Sequence, residues 1–159
     1  MALRIILTGE DAVLRKKSRE VTVFDERLHQ LLDDLYETME EANGVGLAAV
    51  QVGILRRAVV IDVGEGRIEL INPVITQRSD EKICSPEGCL SFPGETGLVE
   101  RPKSVTVEAL DRNGNFFAVT GQDLLARALC HELDHLDGII YQDHAILMLD
   151  PSEVADEDE

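Results

Sequence analysis

The segment that decides how this chain folds is "SVTVEALDRNGNFFAVTGQDLLARALCHELDHLDG", residues 104–138. It opens with two runs rich in β-branched and aromatic residues, "SVTVEAL" and "FFAVT", which flank "DRNGN". That pattern is a hairpin signal with Asn113-Gly114 at its tip. The period then changes, and residues 122–137 read as a helix. Thr120 is its expected cap, with Asp123 three residues on, and Gly138 its expected stop. On that helix His131 and His135 lie one turn apart on one face, with Glu132 beside the first and Cys130 just before it.

Working outward, "FDERLHQLLDDLYETMEEANGVG" (residues 24–46) is the clearest helix of the chain. Leu28, Leu31, Leu32, Leu35 and Met39 recur at helical spacing, Asp25 is placed to cap the start, and Gly44 to stop it. Between the two helices come "RRAVVIDV", a "GEG" turn at 64–66, and "RIELINPVI", which read as strands. Short turns and little βαβ alternation argue an α+β class, with antiparallel β-sheets packed around the histidine-bearing C-terminal helix and a long N-terminal helix.

The 159 residues are 44% hydrophobic and suit one domain, expected over residues 1–149. The formal net charge is −16, and five acids fall in the last seven residues, so 150–159 reads as an acidic tail. Nothing resembles a basic nucleic-acid footprint, so no direct nucleic-acid binding is expected. No apolar run approaches bilayer length, so no membrane association is expected. The first residues lack the pattern of a secretory signal, which makes the cytoplasm the expected compartment. Cys84, Cys89 and Cys130 are an odd set, which points to free thiols or metal ligation rather than a disulfide framework.

"HELDH" is an H-E-x-x-H pattern: two imidazoles able to hold an ion and a carboxylate able to handle a proton. The other reading is a helix with two incidental polar histidines. "PEGCLS" (residues 86–91) offers Cys89 as a thiolate ligand or, equally, as a small buried residue. "GVGLAAVQ" (residues 44–51) is a low-bulk segment ending in Gln51. On its own it reads as a helix stop with close packing.

Together, "GVGLAAVQ", "EGCLS" and "HELDH", in this order and at these separations, closely resemble the three signature motifs of the peptide deformylases. The likeness extends from "VLRKKS" through "ERP" and "ALDRNGN" to "HLDG". It implies one divalent metal ion per chain, held by Cys89, His131 and His135 with the fourth position left to water. The family is associated with ferrous iron; zinc, nickel and cobalt suit the same donors. The resemblance makes Glu132 the general acid/base and gives the Gln51 side chain and the Leu90 backbone N–H to the oxyanion. The implied substrates are N-formylmethionyl peptides at the start of nascent chains, with formate as product.

The matching substrate positions are Val45, Gly46 and Gly88, in a site lined by Gly44, Gly46, Ala48 and Ala49. The candidates for a methionine pocket are Val45, Leu125, Ala128 and Leu129, with helix phase favouring Leu125 and Ala128. Asp134 and Arg101 are expected to form a buried pair anchoring the helix. Two positions depart from the family: Cys130 stands where glutamine is frequent, and Thr96 where many relatives carry an arginine. Some relatives have a long C-terminal helix associated with ribosome docking. An acidic tail would be repelled by RNA phosphate, so any ribosome contact is expected to be transient and of another kind.

Two other readings predict different ligands. A metallopeptidase would take its third ligand downstream, from Asp143 or His144. A closed, non-catalytic metal module would recruit Cys130.

Overall fold

Asp25 starts the first helix, α1 (Glu26–Glu41), by accepting the Leu28 N–H at 3.1 Å. In the computed structural model, which describes residues 2–149, the stripe Leu28, Leu31, Leu32, Leu35 and Met39 is buried as its spacing predicts. Residues 150–159, the expected tail, lie outside the described residues. The end of α1 differs by one residue from expectation. Asn43, at φ +59°, is the left-handed residue, and the Asn43 and Gly44 N–H groups bond back to the Glu40 and Met39 carbonyls. Gly44 is small for another reason: a Cβ there would lie 2.6 Å from the Leu90 side chain.

Strands β1 (Gly46–Ala48), β2 (Ala58–Ile61) and β3 (Ile68–Arg78) pair antiparallel with β6 (Ser104–Leu110) and β7 (Phe116–Gln122) in the order β1-β2-β3-β6-β7. Successive side chains of β2 point to opposite faces. Ala58 and Val60 pack with the α1 leucines, while Val59 and Ile61 pack with the second helix, α2 (Leu124–Leu136). Burial on both faces is why "AVVI" shows no polar alternation. The "DRNGN" hairpin forms: Leu110 pairs with Phe116, Gly114 sits at φ +84°, and Asp111 Oδ1 accepts the Asn113 and Asn115 N–H groups.

Helix α2 begins two residues later than its period predicts. Residues 120–122 stay in the β7 ladder, with Ser104 opposite Gln122, and Thr120 shares a hydroxyl hydrogen bond with Thr106 instead of capping. Asp123 turns the chain at φ +54° with no side-chain cap. Gly138 ends the helix as expected, at φ +74°, where a Cβ would run into the Arg15 carbonyl.

The second sheet was not legible in the sequence. Strands β4 (Lys82–Cys89), β5 (Phe92–Pro102) and β8 (Ala145–Met148) pair antiparallel in the order β4-β5-β8. Pro86, Gly88, Pro93, Gly94 and Gly97 interrupt its β pattern. An edge strand such as β4 tolerates proline, because its outward N–H groups need no ladder partner.

Candidate metal centre and cleft

Three elements deliver the site. α2 presents His131 and His135; β4 ends on Cys89; a 3₁₀ turn after β1 (Ala49–Val52) carries Gln51. Cys89 Sγ lies 3.3 Å from His135 Nε2, which lies 3.2 Å from His131 Nε2. Among the described residues this is the cluster of potential ligands close enough to share an ion. No arrangement of protons among two buried imidazoles and a thiol satisfies such a triangle well. Ligands about 2.0–2.3 Å from a tetrahedral centre, by contrast, stand roughly 3.3–3.6 Å apart. The three residues therefore fit a divalent ion, and they leave a fourth direction open to the cleft.

Neighbouring side chains hold two of the three candidate ligands, His131 and Cys89. His131 Nδ1 is 2.7 Å from a carboxylate oxygen of Glu87, which leaves Nε2 to face the centre. The Tyr141 ring stacks on His131, with centroids 6.0 Å apart. Gln51 is fully buried. Its Oε1 accepts the Ala48 N–H at 3.0 Å, so its amide NH₂ is turned to Ser91 Oγ (3.0 Å) and Cys89 Sγ (3.6 Å).

Glu132 lies beside the candidate ligands without joining their triangle, with Oε2 4.0 Å from His131 Nε2. It is 4% exposed, and Oε1 has no hydrogen-bond partner among the described residues. Burial pushes its carboxyl up to about 7, against the opposing pull of His131. Gly46 makes room for it. A Cβ on Gly46 would lie 2.6 Å from Glu132 Oε2 and 2.9 Å from Cγ. Gly46→Ala is expected to displace that carboxylate and lower kcat about a hundredfold. Steady-state kinetics beside metal analysis checks this; normal kcat in the variant would show that the carboxylate has room to move.

Glu87, which spacing arguments passed over, is the organiser of the second layer. Arg101 Nε and Nη2 bond its two oxygens at 3.2 and 2.7 Å, and Arg127 Nη1 bonds Oε1 at 2.8 Å. The expected Arg101–Asp134 pair is present at 2.8 Å, as one arm of this cluster. Burial raises the Glu87 carboxyl, but the hydrogen bonds from His131 and Arg101 outweigh it and bring it down to about 2. The sequence signal was an acid two positions before Cys89 in "PEGCLS", on the same strand face; the histidine that it orients lies 44 residues on.

The cleft in front of the centre has a volume of about 380 Å³. Val45, Gly46, Gly88, Leu90 and Ala128 line it, as does Gly44. Leu125 does not. It lies 100° round the helix and packs against Gly121 and the main core, and Leu124, 51% exposed, takes the cleft position. Ala48, Ala49 and Leu129 are likewise in the core. The cleft runs between two free strand edges, β1 of one sheet and β4 of the other, each able to pair with an extended peptide.

The alternative ligands are elsewhere. Cys130 is buried in the α2 core, where burial pushes its thiol pKa up. Asp143 pairs with Arg15, and His144 lies 3.4 Å from Asp134.

The model of the family described as Polypeptide deformylase matches residues 3–149. The chain belongs to the polypeptide deformylase family. A peptide deformylase of Alkaliphilus metalliredigens is 59% identical over 146 residues, which cover 92% of this chain and 99% of that one. One of Caldicellulosiruptor bescii is 58% identical over 97% of this chain and 92% of that protein. Among solved deformylases, that of Thermotoga maritima superposes with a TM-score of 0.89 at 39% identity, over 91% of this chain and 99% of the other. A deformylase of Synechococcus elongatus in complex with actinonin gives 0.89 at 38% identity, over 97% and 85%. The activity is that of a metal-dependent hydrolase removing the N-formyl group from nascent peptides. No helix among the described residues is long and apolar enough to cross a membrane.

Proposed function

We propose that deformylation runs on Cys89, His131 and His135 as metal ligands, Glu132 as proton carrier, and Gln51 with the Leu90 N–H as oxyanion donors. The observation that carries this is the open triangle of donors beside a buried carboxylate whose Oε1 has no partner among the described residues. A divalent ion bound there supplies a Lewis acid that lowers the pKa of water and polarises the formyl oxygen. We assign ferrous iron as the working ion, with zinc, nickel or cobalt suited to the same donors.

An extended formylmethionyl peptide lies between the β1 and β4 edges, with Val45, Gly46 and Gly88 along its backbone. Its methionine side chain sits against Ala128 and Leu124. Glu132 takes the proton of the attacking water and passes it to the leaving amine nitrogen, so formate departs and a free N-terminus remains. The Gln51 NH₂, locked by the Ala48 N–H, and the Leu90 N–H meet the charge that develops on the formyl oxygen. The proposed setting is the cytoplasm, on chains emerging from the ribosome, with transient ribosome contact.

Protein purified without air is expected to hold about one ion per chain and to release formate from formyl-Met-Ala-Ser. Cys89→Ser is expected to lose both the ion and the activity, and Cys130→Ser to keep both. Cleavage of internal peptide bonds, read by mass spectrometry, would refute this assignment in favour of a peptidase.

A further inference from the structure

Between the pairs Gly88–Thr96 and Cys89–Phe92, strand β5 carries three residues with no partner on β4: Pro93, Gly94 and Glu95. This bulge, with Gly94 at φ +80°, brings Gly94 and Glu95 to the cleft wall. The Glu95 carbonyl lies 3.5 Å from where a Cβ on Gly88 would be, one residue from Cys89. Glu95 is exposed and its carboxylate makes no ion pair among the described residues. Gln142 Nε2 donates to it at 3.1 Å.

The other charged groups around the cleft are matched or engaged in the chemistry. Arg101 and Arg127 are balanced by Glu87 and Asp134, and Arg127 also donates to the Val99 and Ile83 carbonyls. Glu132 is buried at the floor. The wall's uncompensated charge is therefore the Glu95 carboxylate. The opposite wall begins where α1 ends, and its last five residues hold Glu37, Glu40 and Glu41 with no basic residue. Acids at a helix C-terminus oppose the macrodipole, so helix stability does not account for them. Asn43, Gly44 and Val45, which line the cleft, follow directly.

We infer that Glu95 is a specificity-determining residue that favours formyl peptides with lysine or arginine in the second or third position and disfavours aspartate or glutamate there. The inference rests on the deformylase reading of the cleft. An extended peptide advances about 3.3 Å per residue. With its formyl group at the Cys89–His131–His135 centre, those residues draw level with Glu95. The Glu95 carboxylate then presents negative potential to an incoming side chain, with the acids at the end of α1 lying behind the opposite wall.

The test is kcat/KM for C-terminally amidated formyl-Met-Ala-Lys against formyl-Met-Ala-Glu, and for the pair with the charge at the second residue. Formyl-Met-Ala-Ser amide serves as the uncharged reference. The wild type is expected to favour lysine about threefold to tenfold at low ionic strength, with the ratio shrinking as salt screens the exposed carboxylate. Glu95→Gln is expected to bring the ratio towards unity and Glu95→Lys to invert it. Both peptides of a pair are read on one enzyme sample, so partial misfolding of a variant cancels. A ratio that is unchanged in Glu95→Gln, or indifferent to salt, would overturn the inference while leaving deformylation standing. Failure to turn over formyl-Met-Ala-Ser amide would remove the deformylase reading and this inference with it.

Discussion

Glu132→Gln is expected to lower kcat on a formylated peptide by about a hundredfold to ten-thousandfold, the span attributed to a positioned proton carrier. Glutamine keeps the shape and loses the ability to hold a proton. Metal content should not change, because Glu132 lies outside the donor triangle. Stability gives an independent check. Burial raises the folded-state carboxyl to about 7, above its unfolded value near 4.3. For an acid shifted upward, the penalty of keeping it ionised is absent below the unfolded value and grows as pH rises to the folded one. The metal-free glutamine variant should therefore melt no lower than metal-free wild type above pH 7. A lowered melting temperature together with lost metal would make Glu132 a structural residue instead.

Glu87→Ala carries the second large effect, and on a different observable. It leaves Arg101 and Arg127 buried with their shared acceptor gone, which costs about 3–5 kcal/mol. For a domain of this size that corresponds to a drop of roughly 6–20 °C in melting temperature. His131 also loses its orienting partner, and metal affinity is expected to fall about 10- to 100-fold. The pH dependence follows from the folded-state value of about 2. A carboxyl shifted downward contributes stability that is complete above its unfolded pKa, near 4.3, and is lost as pH falls towards 2. Wild type and Glu87→Ala should thus differ most above about pH 5 and converge in strong acid. Scanning calorimetry across that range, with competitive metal titration, measures both. Equal melting temperatures at neutral pH would remove Glu87 from its organising place.

Legibility followed locality. Asp25, the α1 leucine stripe, the "DRNGN" hairpin and Gly138 are recognisable because each acts over a few residues. Their hydrogen bonds close within the segment that names them. The α2 start was misplaced because the β7 ladder holds residues 120–122 extended, and that ladder depends on a strand about fifteen residues back. The second sheet was hidden because its prolines and glycines suit an edge strand and a bulge, not a generic β pattern. Leu125 was named for the cleft by a phase argument one residue out, which on a helix is 100°, and Leu124 takes that position.

By itself the sequence determined the histidine pair, the acid beside it and the ordered motifs that resemble one family, since spacing along a helix and order along a chain are properties of the string. The resemblance pointed to Cys89, and the tertiary structure shows how that sulfur reaches the histidines. Cys130, adjacent in sequence, is turned into the core by the helix, and Cys89, far away in sequence, is brought to 3.3 Å by the end of an edge strand. Only the tertiary structure decided that Glu87 orients His131 and that Glu95 stands at the cleft. Both depend on contacts between segments that no local period encodes, because loop closure and packing place them and not the spacing of residues.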